Sequence, residues 1–117
     1  MRPESLYLTD IVESADSIQR FVAGVSEEDF EENELIHSAV LQKLIVIGEA
    51  VARLPKELRE RYPEAQWNEI VGFRNIAVHA YFSVLWSLVW TTTQEDVPVL
   101  REIVVRILHE EYSELGY

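Results

Sequence analysis

Four polar side chains, Arg74, Asn75, His79 and Tyr81, crowd eight positions of the otherwise apolar stretch Gly72-Phe73-Arg74-Asn75-Ile76-Ala77-Val78-His79-Ala80-Tyr81-Phe82. A buried polar atom without a partner costs about 1 kcal/mol or more, so such a cluster needs a reason. An imidazole, with a reference pKa near 6.5, can take a proton from a ribose 2′-OH or return one to a leaving oxygen. An arginine stays charged, binds phosphate bidentately and can stabilise the extra charge of a phosphorane. Arg74 and His79 together therefore suit cleavage of RNA without a metal, with the 2′-OH as internal nucleophile. DNA lacks that nucleophile. Asn75 has two roles open to it, orienting His79 or hydrogen bonding to the phosphate.

On an ideal helix Asn75 and His79 share a face, and Arg74 and Tyr81 share a neighbouring one. Arg74 and His79 themselves point about 140° apart. They can meet through the reach of arginine, a distorted helix end, or a second copy of the helix. A two-fold dimer would join two such ends into one cleft holding two arginines and two histidines. Each residue also has a plainer alternative. A lone histidine on a helix often only packs, an arginine near a helix C-terminus often pairs with an acid such as Glu69 or with terminal carbonyls, and Tyr81 suits a core edge with a wet hydroxyl. Glu49, in the Gly48-Glu49-Ala50 stretch, is a supporting candidate that can pair with Arg74 or raise the pKa of a nearby histidine. His37 and His109 lie outside the cluster and read as packing or surface residues.

The elements that position these groups read as helices. Leu8, Ile11, Ala15, Ile18 and Val22 form one stripe of a first helix over about 5–24. The acidic run from Ser26 to Asn33 reads as a loop or the start of the next helix. A second helix over about 34–54 carries Ile36, Val40, Leu44, Ile47, Val51 and Leu54, and a short arm follows Pro55 up to Pro63. Trp67, Ile70, Val71, Arg74 and Val78 predict a third helix over about 67–80. A fourth apolar helix is expected from near Ser83. Thr91-Thr92-Thr93 weakens it, Asp96 offers a cap, and Val97, Leu100, Val104, Ile107 and Leu108 continue the stripe to about Tyr112. No strand alternation or repeat is visible. The expected fold is an all-α, four-helix bundle with a short extra helix and a broken or kinked last helix, in a single domain over residues 1–117.

Composition narrows the function classes. The chain has 117 residues, 48% hydrophobic and 26% charged, as ordinary globular domains do. It has no cysteine, which excludes disulfides, thiolate zinc sites and thiol nucleophiles. Its net charge of −11 opposes non-specific capture of DNA through phosphates. Six acids fall between Glu27 and Glu34, leaving less acidic surface around Arg53, Lys56, Arg59 and Arg61. The opening Met1-Arg2-Pro3-Glu4-Ser5 lacks the pattern of a signal peptide, so a cytoplasmic location is expected. The longest stretch free of charged residues, Asn75 to Gln94, is too polar for a bilayer span, and the expectation is a buried segment near a dimer seam without membrane contact.

The sequence around the cluster closely resembles the HepT-like branch of the HEPN superfamily over nearly its whole length. The resemblance combines Leu44-Ile45-Val46-Ile47-Gly48-Glu49-Ala50, Leu54-Pro55, Tyr62-Pro63, Trp67-Asn68-Glu69-Ile70-Val71-Gly72-Phe73-Arg74-Asn75, His79-Ala80-Tyr81-Phe82 and Val89-Trp90. It implies a homodimeric, metal-independent endoribonuclease toxin with Arg74 and His79 as catalytic pair and Asn75 beside the arginine. It also implies a partner antitoxin, a minimal nucleotidyltransferase that transfers AMP to Tyr81. ATP and Mg²⁺ would be used only by that partner, and this chain would need no metal or cofactor. AMP on Tyr81 would place bulk and negative charge in the cleft and compete for Arg74. Ser83-Val84-Leu85 stands where many relatives have Gly-Val-Asp, so the fourth helix lacks a capping acid. Two other function classes remain open from the sequence: a non-catalytic helical subunit that binds a nucleotide or partner in a nucleotidyltransferase complex, and a plain helical dimerisation domain.

Overall fold

The apolar stripes become four long helices joined by shorter ones in a computed structural model that describes residues 2–117. Helix α1 (Glu4–Val22) buries Leu8, Ile11, Ala15, Ile18 and Val22. It ends just before Gly24, whose φ of +74° lies where a side chain would be strained. The acidic run is a separate helix, α2 (Glu27–Glu32), rather than a loop or part of its successor. The Ser26 side chain accepts a hydrogen bond from the Asp29 amide, the acids of the first turn suit the positive helix end, and Phe30 is buried. Asn33 then breaks the backbone into an extended conformation and caps the next helix, its Oδ1 accepting from the Ile36 amide at 3.0 Å.

Helix α3 (Glu34–Ala52) lies against both α1 and α5 and buries Val40, Leu41, Leu44, Ile47 and Val51. By length and composition it is apolar enough to cross a membrane, a property shared by core helices of this kind. After Pro55 comes α4 (Lys56–Arg61), held to the end of the chain by the Arg61–Glu111 ion pair and by Tyr62, whose hydroxyl donates to Glu110. Helix α5 (Trp67–His79) starts behind Gln66, a non-glycine residue at φ +54°. Trp67 fixes that start, its indole N–H donating to the carbonyls of Arg59 and Tyr62. On α5 the inward residue of the last turn is Ala77; Val78, expected on the inner stripe, is exposed.

The fourth stripe is broken as expected, but by a different device. Helix α6 (Trp86–Thr91) starts three residues after Ser83, with no side-chain cap at Leu85, and passes through a π-helical turn (Thr92–Asp96) into α7 (Val97–Glu111). The hydroxyls of Thr91, Thr92 and Thr93 bond back to the carbonyls of Ser87, Leu88 and Trp90, which competes with regular helix bonding. Asp96 does not cap α7: its backbone is helical and the Val97 amide already donates to the Thr92 carbonyl across the wide turn. Pro98, which has no N–H to give, sits in the first turn that follows. The described residues contain no strand.

Two features differ from a closed bundle. A cavity of about 300 Å³ opens between α3, α5 and the α6–α7 arm, lined among others by Leu44, Ile70, Phe73, Leu88 and Leu100. In the segment from Asn75 to Gln94, read from the sequence as buried near a dimer seam, the single chain buries Ala77, Val89 and Thr93 and exposes Ile76, Val78, Tyr81, Phe82, Leu85 and Leu88.

Candidate active site

Arg74 is placed by the crossing of α5 over α3. At that crossing Gly48 is buried, and a Cβ built on it would stand 2.3 Å from the Arg74 Cβ and 2.8 Å from its Cγ. The missing side chain is therefore what lets the arginine stem lie on the α3 backbone. The next residue, Glu49, meets the far end of the same side chain, and the Arg74 Nη2 donates to the Glu49 Oε1 at 2.6 Å. The Nη1 donates to the Asn75 Oδ1 at 2.8 Å. The Nε–H is buried and meets no acceptor among the described residues. Each terminal nitrogen keeps a second N–H, a donor free to serve an oxyanion.

Several sequence expectations are sharpened by this arrangement. The acid on Arg74 is Glu49, not Glu69, which lines the cavity instead. Asn75 turns to Arg74 and so does not orient His79 through that amide oxygen. His79 is the last residue of α5 and is exposed; no hydrogen bond or ion pair among the described residues engages it. On helical geometry it stands about 7.5 Å further along the axis than Arg74 and about 140° around it. Tyr81 lies beyond the helix in a 3₁₀ turn (Tyr81–Ser83), half open to solvent, with its ring edge-on to Trp86 at 6.2 Å and to Phe82 at 5.6 Å. His37 packs, as expected, but more specifically than its type suggested: it is buried and stacked on Trp86 at 3.8 Å, with Nδ1 donating to the Phe30 carbonyl. His109 is on the surface.

Gly48 is the site residue that reading by charge and spacing overlooks. Its signal is a glycine in the middle of a long apolar helix, where it costs about 1 kcal/mol relative to alanine unless a close approach needs it.

Electrostatics follow the same contacts. The hydrogen bond from Arg74 holds the Glu49 carboxyl below the ordinary glutamate range, with the Arg74 and Arg53 charges adding to it against the opposing effect of desolvation. A carboxylate whose folded pKa is depressed stabilises the fold above its unfolded pKa and loses that contribution as pH falls through the folded value. We expect the Glu49 carboxyl carbon, followed by NMR, to titrate below the reference glutamate value of about 4.3 and to move back towards it in Arg74→Ala. An unchanged midpoint in that variant would show that the pair does not persist in solution.

Residues 11–107 match the family described as Ribonuclease HepT-like, a span that contains Gly48, Glu49, Arg74, Asn75, His79 and Tyr81. The chain belongs to the HepT-like ribonuclease family. It is 36% identical over 111 residues to "Putative RNase TTE0752" of Caldanaerobacter subterraneus, covering 95% of this chain and 99% of that protein. It is 37% identical over 103 residues to "Putative RNase MJ1380" of Methanocaldococcus jannaschii, covering 88% and 94% of the two chains. A protein of Thermococcus cleftensis named "Probable ribonuclease HepT" is 36% identical over 95 residues, covering 81% of this chain and 86% of its own. No solved structure matches the chain. The HepT-like membership places the Arg74, Asn75, His79 and Tyr81 cluster in a family of ribonucleases, and the crossing at Gly48 describes how this member holds its arginine.

Proposed function

We propose that this HepT-like chain is a metal-independent endoribonuclease toxin that cleaves RNA with Arg74 and His79 and is silenced when a nucleotidyltransferase antitoxin attaches AMP to Tyr81. The observation that carries the reading is the tethered guanidinium of Arg74, held by Glu49 and Asn75 on the same helix as an unengaged His79. His79 takes the proton of the ribose 2′-OH, and that oxygen attacks the adjacent phosphorus. The 5′-oxygen leaves with a proton, and the upstream fragment ends in a 2′,3′-cyclic phosphate. Arg74 binds the non-bridging oxygens as their charge grows. Two copies of α5 meeting about a two-fold axis would supply one histidine as base and the other as acid, and the exposed apolar side chains from Ile76 to Leu88 offer the surface for such a seam.

Tyr81 stands two residues past His79 and is nearly half exposed, which suits an AMP acceptor. Added phosphate there competes with substrate for Arg74 and repels RNA. The test uses protein shown by intact mass to carry no AMP. Treatment with a minimal nucleotidyltransferase, ATP and Mg²⁺ is expected to add AMP to wild type and stop cleavage, while Tyr81→Phe stays unmodified and active. Modification of Tyr81 with no loss of cleavage would contradict the switch.

A second reading, a non-catalytic subunit that binds a nucleotide or the nucleotidyltransferase, draws on two observations: the net charge of −11 and the occupation of Arg74 by its own Glu49. Unmodified, folded protein that leaves RNA intact would favour it.

A further inference from the structure

The cavity of about 300 Å³ between α3, α5 and the α6–α7 arm takes no part in the proposed chemistry. Its floor is apolar, formed by the buried Leu44, Leu100 and Ile103 with Ile70 and Phe73 beside them. Its rim is acidic. Glu64, Glu69 and Asp96 line it as exposed residues, and among the described residues no arginine, lysine or histidine does. Arg106 holds Glu64, whereas no hydrogen bond or ion pair among the described residues engages the Glu69 or Asp96 carboxylate. One wall is the π-helical turn, whose two ends, Thr92 and Asp96, both face the cavity. Such turns are rare and recur at functional sites. Of the six exposed apolar side chains offered to a seam between copies, only Leu88 reaches the cavity.

We propose that this cavity binds a small organic cation, a primary amine or guanidine carried on an apolar body the size of a single ring. The volume lies at the lower end of the range for ligand sites, about 300–1,000 Å³, which limits the occupant to a small molecule. Apolar walls reward an occupant with an apolar part to bury. An inorganic cation or a linear polyamine would lose hydration there and gain nothing in return. The Glu69 and Asp96 carboxylates take the cationic end at the rim and turn anions away. The net charge of −11 draws cations to the surface, so the field of the whole chain supports this occupant. A second copy, bearing the same charge and the same acidic rim, is the poorer match.

The test titrates the full chain, with labelled methyl groups followed by NMR, against three probes. Phenethylammonium has ring and charge, phenylpropionate keeps the ring and spacer but reverses the charge, and putrescine has charge without a ring. Phenethylammonium is expected to shift the methyls of Leu44, Leu100 and Ile103 saturably at millimolar concentration, with the other two probes about tenfold weaker or more. Glu69→Gln combined with Asp96→Asn, both at exposed positions, should weaken its binding about threefold or more and leave the helical content unchanged. Equal affinity for phenethylammonium and either of the other probes would overturn the proposal. So would unchanged affinity in the double variant, or no methyl shift at the highest usable concentration. Methyl signals that move with protein concentration and ignore the probe would also overturn it, and would assign the cavity to a contact between copies. No RNA enters the measurement, so its outcome is independent of the ribonuclease reading.

Discussion

Replacing His79 by alanine is expected to lower the rate of RNA cleavage by about 10²–10⁴-fold, the usual effect of removing a general acid or base, and to leave the helical content unchanged. The second half of that expectation follows from position: His79 is exposed at the end of α5 and engages no other described residue, so its loss removes no packing. Arg74→Ala is expected to cost about 10²–10³-fold, in the range for loss of one oxyanion donor. That change also leaves Glu49 with its carboxylate facing the incoming phosphate, which adds to the loss. Lysine does not restore Arg74, because an ammonium cannot hold Glu49, Asn75 and a phosphate in the planar arrangement of a guanidinium. The double variant should fall by much less than the product of the single effects, since the two groups serve one transition state. Steady-state rates on one defined RNA check all of these. Single variants within about threefold of wild type would remove both residues from the chemistry.

Gly48→Ala has the largest expected effect on the scaffold, although it adds only a methyl group. The added carbon would stand 2.3 Å from the Arg74 Cβ, and that atom is fixed to the α5 backbone, so a side-chain rotation cannot relieve the clash. The helices must separate at their crossing, at a cost of about 1–3 kcal/mol for overpacking, offset by the better helix propensity of alanine by about 1 kcal/mol. For a domain of this size the net loss lowers Tm by about 4 °C per kcal/mol. Activity should fall as well, because the same displacement carries the guanidinium away from Glu49. Gly72→Ala is the matched control: nothing lies within 4 Å of a Cβ there, and the variant should be as stable as wild type or more so. Equal melting temperatures for Gly48→Ala and wild type would show that the crossing is looser than described.

Much of this was legible in the sequence. Three- and four-residue steps of apolar side chains locate the four long helices to within a few residues, because burial of one stripe is what selects a helix in a small domain, and Pro55 and Pro63 bracket the short one between them. What periodicity missed was local and polar. The helix α2 depends on the Ser26 cap and on one buried ring, Phe30, too little apolar signal to register as a stripe. The π turn before Val97 arises from threonine hydroxyls competing for carbonyls, so Asp96 was read as a cap in a place where the backbone never leaves the helix. At the site, residue types point to Arg74, Asn75 and His79, and the Gly-Glu-Ala stretch makes Glu49 a candidate either to pair with Arg74 or to act on His79; the structure has the first. The redirection of Asn75 onto Arg74 and the role of Gly48 depend on how α5 crosses α3, which no spacing within one helix reveals.

The most direct measurement is cleavage of a defined RNA in excess EDTA by the protein, shown by intact mass to be free of AMP, beside its His79→Ala variant. The account predicts cleavage by wild type alone, leaving 2′,3′-cyclic phosphate ends that mark attack by the neighbouring 2′-OH. Intact RNA with folded wild-type protein, or equal cleavage by both, would contradict it.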